Sequence, residues 1–137
     1  MTWKKPIEGQ KMRVEFVVPF PPSVNRIWRH SKGVTYRSPK YMAWRQRAAD
    51  ATQGLWRGDP YLGRVSVEVR LYGPSRRRWD IDNRAKVVLD LIQHLEIVAD
   101  DEQVDRLVLL RGPVTPGGGC HVIVEAMEPG RCPALPA

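Results

Sequence analysis

Only two cysteines occur in this 137-residue chain, and Cys120 and Cys132 lack the close spacing that metal ligation uses. A disulfide framework is therefore not expected, and a reducing compartment suits the chain. No apolar run approaches the roughly 20 residues of a membrane span, and the opening MTWKKPIEGQK has basic residues without a signal peptide's apolar core. These absences predict a soluble, cytoplasmic protein with no membrane partner. His30, His94 and His121 share no zinc-like spacing, and Gly117 to Gly119 are not followed by the Lys-Ser/Thr of a phosphate-binding loop. Internal repeats and low-complexity tracts are missing as well.

Charge is what the chain has in quantity. Lys and Arg number 22 against 15 Asp and Glu, a net charge of +7 that suits a polyanionic partner such as nucleic acid or a membrane surface. The distribution is uneven: residues 1–57 hold 12 basic and 3 acidic side chains, whereas residues 58–137 hold 10 and 12. Eight of the fifteen acids fall within residues 80–105, where Arg84 and Lys86 are the only bases. A concentrated anionic site thus lies inside a cationic protein, which a simple DNA coat would not need.

The length fits one domain with its own core. Residues 1–11 and 128–137 (EPGRCPALPA) lack periodicity and read as flexible ends around a domain at 12–127. Met12, Val14, Phe16 and Val18 alternate with polar residues as in a half-buried strand. PFPPSVNRIWRHSKGVTYR then reads as an extended basic loop, with Trp28 and Tyr36 among Arg26, Arg29, Lys32, Arg37 and the flanking Lys40. Ser38 and Pro39 suit a helix start, and Tyr41, Trp44, Ala48 and Leu55 recur at helical spacing to about residue 56.

A second strand is predicted at 64–72 and a second helix at about 83–96, burying Val87, Val88, Leu91, Ile92 and Leu95. RLVLLR and CHVIVEA make two last strands, and the glycines of PVTPGGG suit a hairpin between them. The predicted fold class is α+β, in the order β-α-β-α-β-β, with a mixed sheet packed by two helices.

The chemistry concentrates in RRRWDIDNRAKVVLD, residues 76–90. In an extended segment, Asp80 and Asp82 project to the same side. Asp82 could cap the helix, worth about 1 kcal/mol, while Asp80 pairs with an arginine. Equally, two carboxylates together suit a hard cation such as Mg²⁺, which keeps several waters and accepts phosphate oxygens. Asp100, Asp101 and Glu102 could be a solvated acidic turn, or one of them could add a third carboxylate if the following strand folds back. Lys86 could pair with Asp82 or Asp90, or meet a phosphate. Arg76, Arg77 and Arg78 are either a solvated face or a grip on a nucleic-acid backbone. Trp28 and Trp79 could stack on an unpaired base.

Taken in order, PFPPSVNR, RRRWDIDNRAK and ADDEQV resemble the RusA-type Holliday junction resolvases, endonucleases of phage and prophage origin, over about residues 14–127. The D-x-D-N-x-x-K core followed by D-D-x-Q-V carries the resemblance. It implies metal-binding aspartates at Asp80, Asp82 and Asp101 and a functional lysine at Lys86, the four together being the catalytic set. It also implies a RusA-like, Mg²⁺-dependent homodimer, with Mn²⁺ able to substitute. Such an enzyme cuts four-way DNA junctions by paired nicks in recombination and repair, leaving 5′-phosphate and 3′-hydroxyl ends. Arg26, Arg29, Lys32, Arg76, Arg77 and Arg78 would then hold the flanking backbone. Two rivals are a junction- or duplex-binding protein without catalysis, and a nuclease for flaps and forked replication intermediates. The tail PGRCPALPA has no counterpart in the family pattern.

Overall fold

The computed structural model describes residues 2–3, 11–128, 130 and 132–137. Five strands form one sheet: β1 (Thr2–Trp3), β2 (Arg13–Val18), β5 (Val65–Tyr72), β6 (Val104–Arg111) and β7 (Gly119–Ala126). A separate ribbon pairs β3 (Trp28–Ser31) with β4 (Val34–Arg37), and among the described residues there are two α-helices, α1 (Pro39–Ala51) and α2 (Ala85–His94). The sheet order is β1-β2-β7-β5-β6, mixed in sense: β5 and β6 run parallel and every other pair is antiparallel. The expected α+β class with a mixed sheet and two helices is what the chain adopts.

Strand periodicity sets the layers. Val14, Val124 and Val67 are register partners across three strands, and so are Phe16, Val122 and Val69, and Val18, Cys120 and Leu71. Partners directly opposite point to the same face, and all nine are buried. Tyr41, Trp44 and Ala48 of α1 and Val87, Val88, Leu91 and Ile92 of α2 join them in one core, so both helices cover that face. Each large side chain among these contributes about 1.5–3 kcal/mol on burial. The other face carries Arg13, Glu15, His121, Glu125, Glu68 and Arg70, several joined as ion pairs. Burial at the core pushes the Cys120 thiol up to about 12, so it packs as an inert small hydrophobe.

Four local expectations change. Most of the segment at 1–11 lies outside the described residues, but its polar sequence gave no hint of β1, which pairs with β2. The expected basic loop is instead the β3–β4 ribbon, closed by Lys32 and Gly33 at φ 49° and 74°. Both central residues of a two-residue hairpin turn of this kind need positive φ, and Lys-Gly is a weaker signal for it than Asn-Gly or Asp-Gly. Helix α1 stops at Ala51, with Thr52 turning its hydroxyl back to Ala48 O (2.8 Å), rather than reaching residue 56.

The fourth change matters most for the site. β6 and β7 do not form a hairpin, because β5 lies between them, paired with both. Helix α2 is a crossover that returns the chain parallel to β5, as a β-α-β unit requires. The glycine-rich loop therefore arches over the end of β5, anchored by Gly112 N–H to Leu71 O (2.8 Å) and Thr115 N–H to Gly73 O (2.9 Å). Gly118 has φ 68°, and a Cβ there would stand 3.1–3.2 Å from Phe20, Pro74 and the Tyr72 carbonyl, so a side chain at that position would be both strained and crowded.

Candidate functional site

The loop leaving β5 carries Arg76, Arg77 and Arg78, all exposed, then half-buried Trp79, then exposed Asp80 and Asp82. Trp79 anchors it. The Arg111 guanidinium lies 3.8 Å from the Trp79 ring centroid and donates to Trp79 O (3.0 Å), while Phe20 meets the ring edge-on at 5.2 Å. Arg84 stacks 4.5 Å from the Phe20 ring and donates to Pro21 O, tying the proline-rich PFPP segment to the same loop. Charged side chains are held here by ring faces, an arrangement worth about 0.5–2 kcal/mol per contact.

Asp80 accepts a hydrogen bond from Asn83 Nδ2 (3.2 Å), which gives Asn83 a role the sequence left open, and among the described residues Asp80 has no arginine partner. Asp82 opens a 3-10 turn, Asp82–Arg84, that leads into α2, and neither the turn nor the helix has a side-chain cap. Asp82 is thus not the expected cap; it sits in the first turn, where the positive end of the helix still favours its charge.

Lys86, on the first turn of α2, donates to Asp101 Oδ2 (2.5 Å) and Asp90 Oδ1 (2.9 Å), so of its expected partners Asp90 is found and Asp82 is not. These carboxylates, Asp101 foremost, push the lysine up to about 12. Asp101 reaches Lys86 because the chain reverses after α2. Glu96, at φ 60°, closes the helix with Ile97 N–H to Ile92 O (3.1 Å) and Glu96 N–H to Gln93 O (3.0 Å), the Schellman pattern.

The reversal is then built around Gln103, which sequence reasoning missed. Its buried Oε1 accepts from Ala99 and Asp100 N–H (2.9 Å each), and its Nε2 donates to Tyr61 O (2.7 Å) and Gly63 O (2.9 Å). Asp100 in turn accepts from Glu102 N–H (2.9 Å), making a capping box. The spacing Asp100-x-x-Gln103 is that motif's signature and was the signal available. Arg64 secures the far side by pairing with Glu102 (3.0 Å) and Asp105 (2.5 Å).

The structure brings Lys86 and Asp101 together but does not gather Asp80, Asp82 and Asp101 into one set. Asp101 lies just before Val104, which is in register with Val65 at the start of β5, and Asp80 and Asp82 follow the end of β5; Lys86, four residues after Asp82, is the side chain that reaches Asp101. Among the described residues no group of three or more His, Cys, Asp or Glu side chains is disposed to hold a metal ion. Arg29 and Lys32 stand exposed on the β3–β4 ribbon; the Arg26 side chain lies outside the described residues.

The model of a family described as "Endodeoxyribonuclease RusA" matches residues 19–125. The chain belongs to the RusA family. Its RusA relatives include the crossover junction endodeoxyribonuclease of Enterobacteria phage HK97, 32% identical over 83% of this chain and 95% of the relative. The enzymes of the same name from Enterobacteria phage 82 (32%) and Escherichia coli strain K12 (31%) each align over 80% of this chain and 92% of their own length. The RusA match spans the PFPP segment, the Arg76–Asp82 loop, α2 and the Gln103 turn, so the whole candidate site lies inside it. No helix among the described residues of this RusA-family chain is long and apolar enough to cross a membrane.

Proposed function

We propose that this RusA-family protein is a DNA endonuclease that resolves four-way junctions by paired, symmetric nicks in DNA recombination and repair. One observation carries the reading: exposed carboxylates at Asp80 and Asp82 follow three exposed arginines across Trp79, and Lys86 on the adjoining helix is paired with Asp101 of the turn before β6. Arginines can hold a phosphodiester against acids that would otherwise repel it. Hydrolysis adds water across the P–O3′ bond, leaving a 5′-phosphate and a 3′-hydroxyl. Lys86, fully protonated at neutral pH, would stabilise the negative charge that develops on phosphorus once the DNA draws it from Asp101. The ribbon, with Arg29, Lys32 and Arg37, would grip the flanking backbone.

Mg²⁺, with Mn²⁺ as substitute, belongs to this proposal as the expected cofactor. The three aspartates do not fit one ion as they stand, so no step is drawn through it; Asp80 and Asp82 are the carboxylates left open to a cation, and Asp101 is held by Lys86. A homodimer in the host cytoplasm is the proposed working form, because a four-way junction presents two equivalent strands. β6 supports it as an outer edge of the sheet, with Leu107 and Leu110 39% and 45% exposed.

The test is cleavage of a synthetic mobile four-way junction with and without Mg²⁺, using the intact protein beside Asp82→Asn. Symmetric, ligatable nicks that need both Mg²⁺ and Asp82 are expected. Tight binding without cutting in Mg²⁺ or Mn²⁺ would sink the proposal and leave the non-catalytic binding reading. Flap and fork substrates at equal concentration would identify the other rival by preferential, one-sided cutting.

A further inference from the structure

A cavity of about 400 Å³ opens between the PFPP segment, α1 and the arginine loop, and of its lining the chemistry above uses only Arg77 and Arg78. Its apolar wall is rigid: Phe20 and Trp79 are locked edge to face, and Pro21, Pro22 and Pro74 adjoin them. Its polar wall is cationic, with Lys40 and Arg47 from α1, Arg77 and Arg78 from the loop, and Arg84, which donates to Pro21 O; no Asp or Glu lines it. Among the described residues Lys40, Arg47, Arg77 and Arg78 have no ion pair with a carboxylate. Like charges gathered around one space favour the entry of an anion.

The size suits one small molecule, the aromatic wall suits a flat ring, and the cations suit a phosphate. Trp79 is the immediate neighbour of Asp80, so an occupant would sit next to the proposed cutting site. A base pair inside a duplex cannot enter such a space, but a nucleotide at the exchange point of a junction, where stacking is interrupted, costs less to unstack.

We propose that this cavity takes one unstacked nucleotide of the DNA strand beside the cut, its base against the Phe20–Trp79 wall and its phosphate on the α1 and loop cations. This deepens the reading given under Proposed function and rests on it.

The experiment places 5-iododeoxyuridine at successive positions around the exchange point of a junction, binds the protein in EDTA, irradiates, and maps adducts by mass spectrometry. One position should give an adduct at Phe20 or Trp79. Yield per bound junction should fall about tenfold, as loss of one stacked base does, in Ser75→Trp, which fills the cavity, and in Arg47→Glu, which places a carboxylate in it. Adducts confined to Trp28 and Tyr36 of the ribbon, or yields unchanged in both variants, would overturn the inference. So would equal adduct formation by free 5-iodo-dUMP, which would make the ligand a free nucleotide. If no junction binds, the functional reading fails instead; a single-stranded oligonucleotide carrying the same base then decides the cavity, a Phe20 or Trp79 adduct supporting it and none overturning it.

Discussion

Replacing Gln103 probes how the site is built. Its side chain is buried and makes four hydrogen bonds, two to N–H groups of the Asp100 turn and two to carbonyls of the segment leading into β5. Each is worth about 0.5–1.5 kcal/mol net, and Gln103→Ala leaves all four backbone groups without this partner. A loss of about 3 kcal/mol is expected, which for a chain of this size lowers Tm by about 10 °C. Gln103→Glu separates hydrogen bonding from packing. It keeps the shape and the acceptor for Ala99 and Asp100 but turns a donor into an acceptor facing Tyr61 O and Gly63 O, so it should also destabilise strongly. Urea and thermal unfolding followed by circular dichroism would measure both variants, and junction cleavage would report the displaced Asp101. A Gln103→Glu protein within about 0.5 kcal/mol of the parent would refute the reasoning, because packing alone would then account for the residue.

Three further outcomes are expected. Replacing Arg29, Lys32 and Arg37 with alanine should weaken junction binding and reduce the slope of log affinity against log salt by about 3, if each neutralises one phosphate; an unchanged slope would remove the ribbon from the interface. Glu96→Gly should raise stability by about 0.5–1 kcal/mol in denaturant titration, because glycine relieves the left-handed conformation at φ 60°. Glu15, held below its ordinary 4.5 by Arg13 and His121, stabilises the fold above that pH and loses the contribution as the pH falls through its lowered value. Glu15→Gln should therefore flatten the acid limb of the stability curve, and an unaltered limb would count against the pairing.

Most of the fold was legible because it rests on periodicity. The alternation of Met12 to Val18, the valines of 65–69 and the i, i+1, i+4, i+5 stripe of α2 each specify which face must leave water, whatever the neighbours are. Ser38 was equally readable as the cap of α1, its hydroxyl accepting Tyr41 N–H at 3.1 Å. The ribbon was missed because its turn lacks the usual residues, and β1 because two strand residues carry no period.

The amino-acid sequence by itself determined the layers, the cationic character and the motif that places the chain in its family, since these depend on local pattern and composition. Strand order was decided only by the tertiary structure. A glycine-rich link between two strands reads as a hairpin until β5 is found between them, and register between distant segments has no local code. That placement also decided the site: it set Lys86 against Asp101 and closed a cationic cavity from segments more than fifty residues apart in the chain.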